Sequence, residues 1–546
     1  MMSEPRIMPV GGQNFQMLRE GGCVYVDKTP YIYQLISQSR VYFLSRPRRF
    51  GKSLLLSTLA AYFRGKKELF KGLYLEKAEE ELAQQRRRKA WIEYPVLYLD
   101  LNGSNYKEPD SLSITLNNHL SAWEAVYGTA ASEQDYSTRF WGIIRRAYEK
   151  TGHQVVVLVD EYDKPLLDTL DDSELNETYR NILKAFYSVI KSTDQYLRFA
   201  FLVGVTKFSK VSVFSGLNNL KDLSLRSDFA AICGITETEL RENFAPELDI
   251  LAAKLKQTRE ETLVILKNRY DGYLFAAKGE NVYNPFSLLN VFDANALADY
   301  WYSTGTPSFL VEYLKEAHYY VPNLEGNVEL DEAGLETHRV DAHDAVPTLF
   351  QAGYLTIKSY DPEVFLYRLG YPNSEVRTGF LKNLLPSYTS ISNANSGKCV
   401  ADFYRDIRDG NVDAFMVRMQ SLLAGIPYST DAPETVTWRE QNYQIAVYIV
   451  FALMDQYVQT EVQSATGRAD CVVHTKAAIY IFEFKLWSTG TSQEALEQIR
   501  TKGYEQPYLS SGKKLILIGA SFDEEKRNIG AWEVEEVDIE HEVHMS

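Results

Sequence analysis

Cysteine is scarce: Cys23, Cys233, Cys399 and Cys471 are the four in a chain of 546 residues. They lie far apart, which excludes a disulfide framework and any C-x-x-C metal half-site. No uninterrupted apolar run approaches the roughly 18–20 residues that a membrane span needs. The opening segment, Met1 to Phe15, carries Pro and paired Gly but no apolar stretch of the kind a secretory leader requires. The eight histidines show no metal-ligand spacing, and His541-x-x-His544 is read as accidental. Positive charge is the other shortage. With 58 basic against 73 acidic residues the net charge is −15, which argues against broad, non-specific nucleic-acid binding while leaving room for a local basic groove. These absences predict a reduced, soluble, cytoplasmic protein with no membrane partner.

What is present begins with length, which is too great for one hydrophobic core. Short apolar β-branched runs alternate with helical patterns over residues 1–230. Val41 to Leu44, Pro95 to Asp100, Val155 to Val159 and Leu197 to Val205 read as strands; Leu54 to Phe63 and most of Asp110 to Thr151 read as helix. Such alternation predicts an α/β domain, a parallel sheet with helices on both faces whose ligand sits at the carboxyl ends of the strands. Residues 231–393 read as helices rich in aromatics. Within them Leu349 to Thr356 followed by Val364 to Leu369 has the pattern of a helix end and small β-wing, a winged-helix element. The polar stretch Ser387 to Ser396 reads as a loop, and 394–435 as a helical bridge. Over 436–546 an α-β-β-α-β order predicts a second α/β domain, with strands Cys471 to His474, Ala478 to Lys485 and Leu515 to Ala520. The acidic end (Glu533, Glu535, Glu536, Asp538, Glu540, Glu542) reads as a solvated terminus.

The segment Arg46-Pro-Arg-Arg-Phe-Gly-Lys-Ser53 follows the first strand and opens a helix, the context of a P-loop. In such a loop, backbone N–H groups cradle phosphate, Gly51 allows close approach, Lys52 neutralises the β- and γ-phosphates, and the Ser53 hydroxyl ligates Mg²⁺. Arg46 stands where a first glycine is usual, and Pro47 fixes φ, so Arg46, Pro47 and Phe50 make a stiffer cradle. Arg48 and Arg49 either add positive charge near the phosphates or face solvent. Asp160-Glu161 ends the third strand: a carboxylate there holds the Mg²⁺ shell, and Glu161 polarises the attacking water. Thr206, after the fourth strand, is either a γ-phosphate sensor or a strand-end Thr bonded to backbone. ATP and Mg²⁺ are the expected ligands.

A second constellation lies in 436–546. Glu483 and Lys485, two apart in a strand, share a face, and a hairpin brings Asp470 to the same end. Two carboxylates suit Mg²⁺ or Mn²⁺, and Lys485 can orient a water or stabilise phosphate charge, which is the apparatus of metal-assisted phosphodiester hydrolysis. Gln498 and Lys502 share a face of the following helix, and Glu440 is a weaker candidate. The charge balance, ten basic against seventeen acidic residues over 436–546, counts against strong stand-alone DNA binding. The run Arg86-Arg-Arg-Lys89 reads as a solvated helix end, with nucleic-acid contact as the sharper alternative.

Taken together, Tyr25-Val-Asp-Lys-Thr29, Ser45 to Ser53, Val159-Asp-Glu-Tyr-Asp163, Gly204-Val-Thr-Lys-Phe-Ser209, Val282-Tyr-Asn-Pro-Phe286, Tyr300-Trp301 with Thr304-Gly-Thr-Pro307, and Gln351-Ala-Gly-Tyr-Leu-Thr356 resemble the bacterial AAA-ATPase-like family. Gly467-Arg-Ala-Asp470, Phe482-Glu-Phe-Lys485 and Gln498-Ile resemble the PD-(D/E)XK nuclease superfamily domain fused to it. The resemblance implies an AAA+-like P-loop domain, a helical and winged-helix middle, and a restriction-endonuclease-like C-terminal domain. It assigns Lys52 and Ser53 to phosphates and Mg²⁺, Asp160 and Glu161 to hydrolysis, and Asp470, Glu483 and Lys485 to a nuclease centre. Within this family Arg46-Pro47 is a normal start to the loop. The implied function is an ATP hydrolase coupled to a metal-dependent nuclease acting on nucleic acid, with a nucleotide-dependent homo-oligomer as a further expectation. The rival is a nucleotide-switched signalling or scaffold protein whose nuclease-like domain only binds a partner.

Overall fold

The structure, a computed structural model, describes residues 6–207, 214, 217, 219–302, 310–311, 314–315, 317, 319–336, 345–425, 436–455, 459–462 and 470–537, with backbone alone for 436–442 and 459–462. The Gly467-Arg468-Ala469 turn, the Glu440 side chain, Thr304 to Pro307, Ser209, Asp538, Glu540, Glu542, His541 and His544 lie outside the described residues. The chain divides into two compact units, Met1–Thr304 with Gly326–Glu375, and Gly305–Glu325 with Val376–Ser546.

The first unit is built on a parallel five-stranded sheet: β1 (Val41–Ser45), β2 (Val96–Asp100), β3 (Val155–Asp160), β4 (Leu197–Gly204) and β5 (Lys221–Asp222), in spatial order β2-β3-β4-β1-β5. Its strands are almost wholly apolar because both faces are covered. Val41, Phe43, Val155 and Val157 join Leu116, Phe140, Ile143 and Leu183 in a core under the helices Ser111–Tyr127, Tyr136–Thr151 and Ser173–Ser192. The alternate residues face the other way, where Tyr42 meets Phe199, and Phe199 meets Phe63 of the helix Lys52–Phe63. The remainder of the unit is mostly helical. It includes the two-stranded pair β6 (Ile235–Thr236) and β7 (Val282–Tyr283), and a three-stranded antiparallel sheet of β8 (Val328–Leu330), β9 (Thr356–Asp361) and β10 (Leu366–Gly370), with β10 in the middle. The helix Val346–Ala352 leads into β9 through Gly353, whose φ of 90° is left-handed.

The second unit carries a mixed sheet in the order β11 (Gln459–Val462), β12 (Cys471–His474), β13 (Ala478–Leu486), β14 (Lys514–Asp523) and β15 (Asn528–Val537). Only β13 and β14 are parallel, so they need a crossover, and the helix Ser492–Lys502 supplies it. Alternation along β13 sorts its side chains. Phe482 packs with Phe415 and Phe451 from the helices Val412–Ala424 and Val436–Met454. Ile479 and Ile481 pack with Ile499 of the crossover helix.

Two sequence expectations are corrected. Ser387 to Ser396 is largely helical: one helix runs over Ser374–Tyr388 and the next begins at Asn393, because apolar residues at helical spacing (Val400, Phe403, Ile407) bury the second helix regardless of its polar first turn. Residues Glu533, Glu535 and Glu536 are not a solvated tail but part of β15. Ile529 and Val537 are buried, while Glu535 pairs with Arg500 and Glu536 with Lys514, so the acids decorate an edge strand.

One buried acid of the first unit is outside both expected sites. Glu375 is 2% exposed; it accepts the Ser287 hydroxyl at 2.7 Å and the Trp301 backbone N–H at 2.8 Å. Burial pushes its carboxyl up to about 7. A raised folded-state value means that its contribution to stability is present at low pH and is lost as pH rises through about 7. Glu375→Gln, neutral at every pH, therefore removes a pH-dependent penalty. The melting temperature of the natural protein relative to this variant is expected to fall between pH 5 and pH 8, by the equivalent of about 2–3 kcal/mol. Parallel melting curves across that range would contradict it.

Candidate nucleotide site and candidate nuclease centre

The loop after β1 is held from below by Arg46, which is 2% exposed. Its guanidinium donates to the carbonyls of Ser45 and Ser224 at 2.8 Å and Phe229 at 3.2 Å, and stacks 4.3 Å from the centroid of Phe275. Arg46 is thus an anchor and does not face the phosphate side. Phe50 is buried against Tyr273 and Phe275. Pro47 packs so closely on Gly353 that a Cβ there would stand 2.6 Å away, which gives the glycine of Gln351-Ala-Gly353 a steric reason. Arg48 and Arg49 are exposed; the Trp301 indole N–H donates to the Arg48 carbonyl at 3.1 Å, and Arg49 lies over Phe286. Gly51 takes φ 89° and caps the helix Lys52–Phe63, a conformation that favours glycine.

Lys52 is buried and donates to the carbonyls of Arg46 and Pro47 at 3.1 and 3.2 Å, with Glu161 3.5 Å away. Glu161 itself has φ 50°, a strained conformation for a non-glycine residue of the sort that clusters at functional sites. Asp160 ends β3 and is 3% exposed. Burial, chiefly, pushes its carboxyl up to about 6, against the opposing pull of the Ser53 hydroxyl and Lys52. Tyr98 donates to its Oδ2 at 3.2 Å, while Oδ1 is buried without a hydrogen-bond partner. An orphaned carboxylate oxygen is costly; beside a hydroxyl and at the mouth of a phosphate loop it is the donor set that a hard divalent cation uses. The residues present therefore fit Mg²⁺ with a nucleoside triphosphate.

Thr206 is placed differently from a free sensor. Its hydroxyl and backbone N–H both donate to Asp163 Oδ2, at 2.7 and 2.6 Å, and Val205 N–H joins them at 3.0 Å. Asp163, fully buried, thereby ties the end of β4 to the segment after β3. Gly204 permits this approach, since a Cβ there would stand 2.4 Å from Asp163 Oδ1. The next residue, Lys207, donates its N–H to Gln351 at 2.8 Å. Tyr98, Asp163 and Gln351 had no signal in the sequence as parts of a site beyond their membership of motifs or a strand, because the contacts join positions 42 to 144 residues apart.

In the second unit the antiparallel register of β12 and β13 pairs Cys471 with Phe482 and so sets Asp470 opposite Glu483. Asp470 Oδ2 accepts the Phe484 N–H at 2.8 Å, and burial raises its carboxyl. Glu483 is 5% exposed. Burial first and the neighbouring Asp470 second push it up to about 7. Gln498 bridges the two candidate side chains of the strand: its amide N–H donates to Glu483 Oε1, and its Oε1 accepts from Lys485 Nζ. Glu483 Oε2 is buried without a partner, so this centre too fits a divalent ion. Among the described residues no group of three His, Cys, Asp or Glu converges. Among the described residues, then, either centre offers an ion at most a pair of carboxylates, a sparse protein ligation of the kind Mg²⁺ has when it is shared with phosphates and water. Tyr320, whose hydroxyl is raised by burial and then by the charge of Asp470, is a neighbour of this centre that sequence reasoning did not find. Lys502, one turn beyond Gln498, is exposed.

Fold and geometry define a P-loop ATPase-like unit followed by a nuclease-like one, and the comparisons agree. Residues 9–214 match the family described as "Predicted AAA-ATPase", and residues 438–532 match the PD-(D/E)XK nuclease superfamily. The chain is 38% identical over 535 residues to "Uncharacterized protein in vnfD 5'region" of Azotobacter chroococcum mcd 1, covering 97% of this chain and 98% of that protein. The chain belongs to this AAA-ATPase-like family with a PD-(D/E)XK domain. No helix among the described residues is long and apolar enough to cross a membrane.

The position of Gln498 depends on Gly519. A Cβ on this β14 residue would stand 2.2 Å from the Ser492 carbonyl and 2.5 Å from the Leu496 nitrogen, both backbone atoms of the crossover helix. Gly519→Ala is expected to push the helix off the sheet and destabilise the second unit by about 1–3 kcal/mol. Hydrogen exchange of residues 492–502 measures this; unchanged protection would show that the close approach is not required.

Proposed function

We propose that the chain binds and hydrolyses ATP with Mg²⁺ in the first unit and uses the second as a metal-dependent nuclease on nucleic acid. The observation that carries the reading is chemical. Asp160 Oδ1 in the first unit and Glu483 Oε2 in the second are buried without a hydrogen-bond partner, and each has a lysine and a second acid beside it. In the first unit Lys52 leaves the carbonyls of its own loop to meet the β- and γ-phosphates, Ser53 and Asp160 hold the ion, and Glu161 takes a proton from the attacking water. In the second, Asp470 and Glu483 hold the ion, and Lys485, oriented by Gln498, stabilises the developing negative charge or positions the water. A bound divalent ion would supply Lewis-acid polarisation of the phosphoryl group in either place.

A second reading, a nucleotide-switched scaffold that assembles with copies of itself or a partner and leaves phosphodiesters intact, is favoured by one observation. The edge strand β15 presents Glu533, Glu535 and Glu536, the last two paired with Arg500 and Lys514, so this edge offers no surplus of positive charge to a phosphate backbone.

Two measurements separate these readings. Lys52→Ala should weaken ATP binding at least about tenfold through loss of charge-assisted hydrogen bonds, while Glu161→Gln should keep binding and lose about 100-fold or more in turnover. Incubated with Mn²⁺ or Mg²⁺, ATP and single- or double-stranded DNA and RNA, the natural protein should cleave at least one substrate, and Lys485→Ala should cut it about 100-fold more slowly. Equal behaviour of the natural protein and Lys485→Ala on every substrate removes the nuclease, and nucleotide-dependent assembly unaffected by Glu483→Ala selects the scaffold.

A further inference from the structure

The run Arg86-Arg-Arg-Lys89 takes no part in either centre, yet the fold gives it company. At the amino ends of the parallel strands, opposite the nucleotide site, an open polar cleft of about 340 Å³ is lined by Arg40, Arg86, Arg88 and Arg198, with Tyr94 and Gln154 among its other walls. Four arginines line this one cleft in a chain whose net charge is −15. The fold sorts the basic run. Arg88 turns inward to a bidentate pair with the buried Glu79, at 2.6 and 3.0 Å. Arg86 lines the cleft. Arg87, with φ 49°, is exposed and is not part of the lining.

Glu79 is already committed, since it also accepts the Tyr62 hydroxyl and the Trp91 N–H. No carboxylate pairs with Arg40, Arg86 or Arg198 among the described residues. The last two touch only backbone carbonyls, Ser37 for Arg86 at 3.4 Å and Ile36 for Arg198 at 3.5 Å. Arg198 also lies 5.9 Å from the ring centroids of Phe63 and Tyr94, which holds it in place. Like charges brought together without a counter-charge raise the energy of the folded state, and an anion relieves it. Guanidinium forks match phosphate oxygens in pairs. The volume is at the lower end of small-molecule sites, too small to seat a duplex face.

We infer that this cleft binds a phosphate-rich anion, either a free nucleoside polyphosphate or the phosphorylated end of a nucleic-acid strand. It is separate from the P-loop. Arg40 immediately precedes β1, whose five residues separate it from the loop, a span of about 17 Å at roughly 3.3 Å per residue. Arg40 and Gln154 immediately precede β1 and β3 and Arg198 is the second residue of β4, while these strands end at Ser45, Asp160 and Gly204 beside the loop, so one sheet joins the two sites.

The test uses full-length Lys52→Ala, to remove phosphate binding at the P-loop, titrated with inorganic tripolyphosphate by calorimetry. Binding is expected, weakened about tenfold or more by adding Arg40→Gln with Arg86→Gln and unchanged by adding Arg87→Gln. No binding, or equal loss with Arg87→Gln, overturns the proposal. Modification of the unmutated chain by phenylglyoxal gives a readout that needs no variant: tripolyphosphate should protect Arg40 and Arg86 and leave Arg87 reactive, and absence of protection overturns it as well. Titration with ATP, and with a short single strand bearing a 5′-phosphate or a 5′-hydroxyl, identifies the source. Preference for the 5′-phosphate strand selects a nucleic-acid end, and preference for ATP selects a free nucleotide.

Discussion

A buried cation, Arg46, is the constraint around which the first unit is arranged. A guanidinium out of water is costly unless it is hydrogen-bonded, and here its two terminal nitrogens donate to three carbonyls, Ser45 at the end of β1 and Ser224 and Phe229 beyond β5, while the Phe275 ring lies against it and Nε is left without a partner. This joins the start of the phosphate loop to both neighbouring segments. Phe50, Pro47 and Arg48 add contacts to Phe275, Gly353 and Trp301. The loop lacks a first glycine, and its shape is set by what surrounds it more than by backbone freedom; Arg49 and Gly51 both take left-handed φ, 68° and 89°, and only at Gly51 is the residue one that adopts it without cost.

The second unit solves a similar problem with neutral groups. Two acids and a lysine on adjacent strands would interact without fixed geometry if they stood at a surface. Helix Ser492–Lys502 lies over the same face of the sheet and lowers Gln498 between Glu483 and Lys485, so one amide orients both. The close approach at Gly519 makes that placement possible. Burial then favours the protonated form of Glu483, and the unpaired Oε2 leaves a position for a cation.

Much of this was legible in the residues. Strand-loop-helix order around Gly51-Lys52-Ser53, the carboxylates ending β3, and the i, i+2 relation of Glu483 and Lys485 are local patterns, and local patterns survive folding because backbone periodicity enforces them. The polar stretch Ser387 to Ser396 and the acids Glu533, Glu535 and Glu536 depart from the sequence expectation for the same reason: composition does not say which residues a neighbouring element buries. Val400 and Phe403 in one case, Ile529 and Val537 in the other, supply apolar anchors that outweigh polar neighbours.

The sequence by itself determined the element types, the two α/β sheets and the identity of the charged groups at strand ends, since each follows from spacing along a few consecutive residues. Tertiary structure alone decided the direction each side chain takes. Arg46 points into the core rather than toward phosphate, Thr206 is spent on Asp163, Gln498 is shared by Glu483 and Lys485, and Arg40, Arg86 and Arg198 gather from three distant segments into one cleft. These relations join positions tens to nearly two hundred residues apart, and no one-dimensional period encodes them. For the loop at Arg46 to Ser53, a chemically recognisable motif took a defined shape only when distant carbonyls and rings held it.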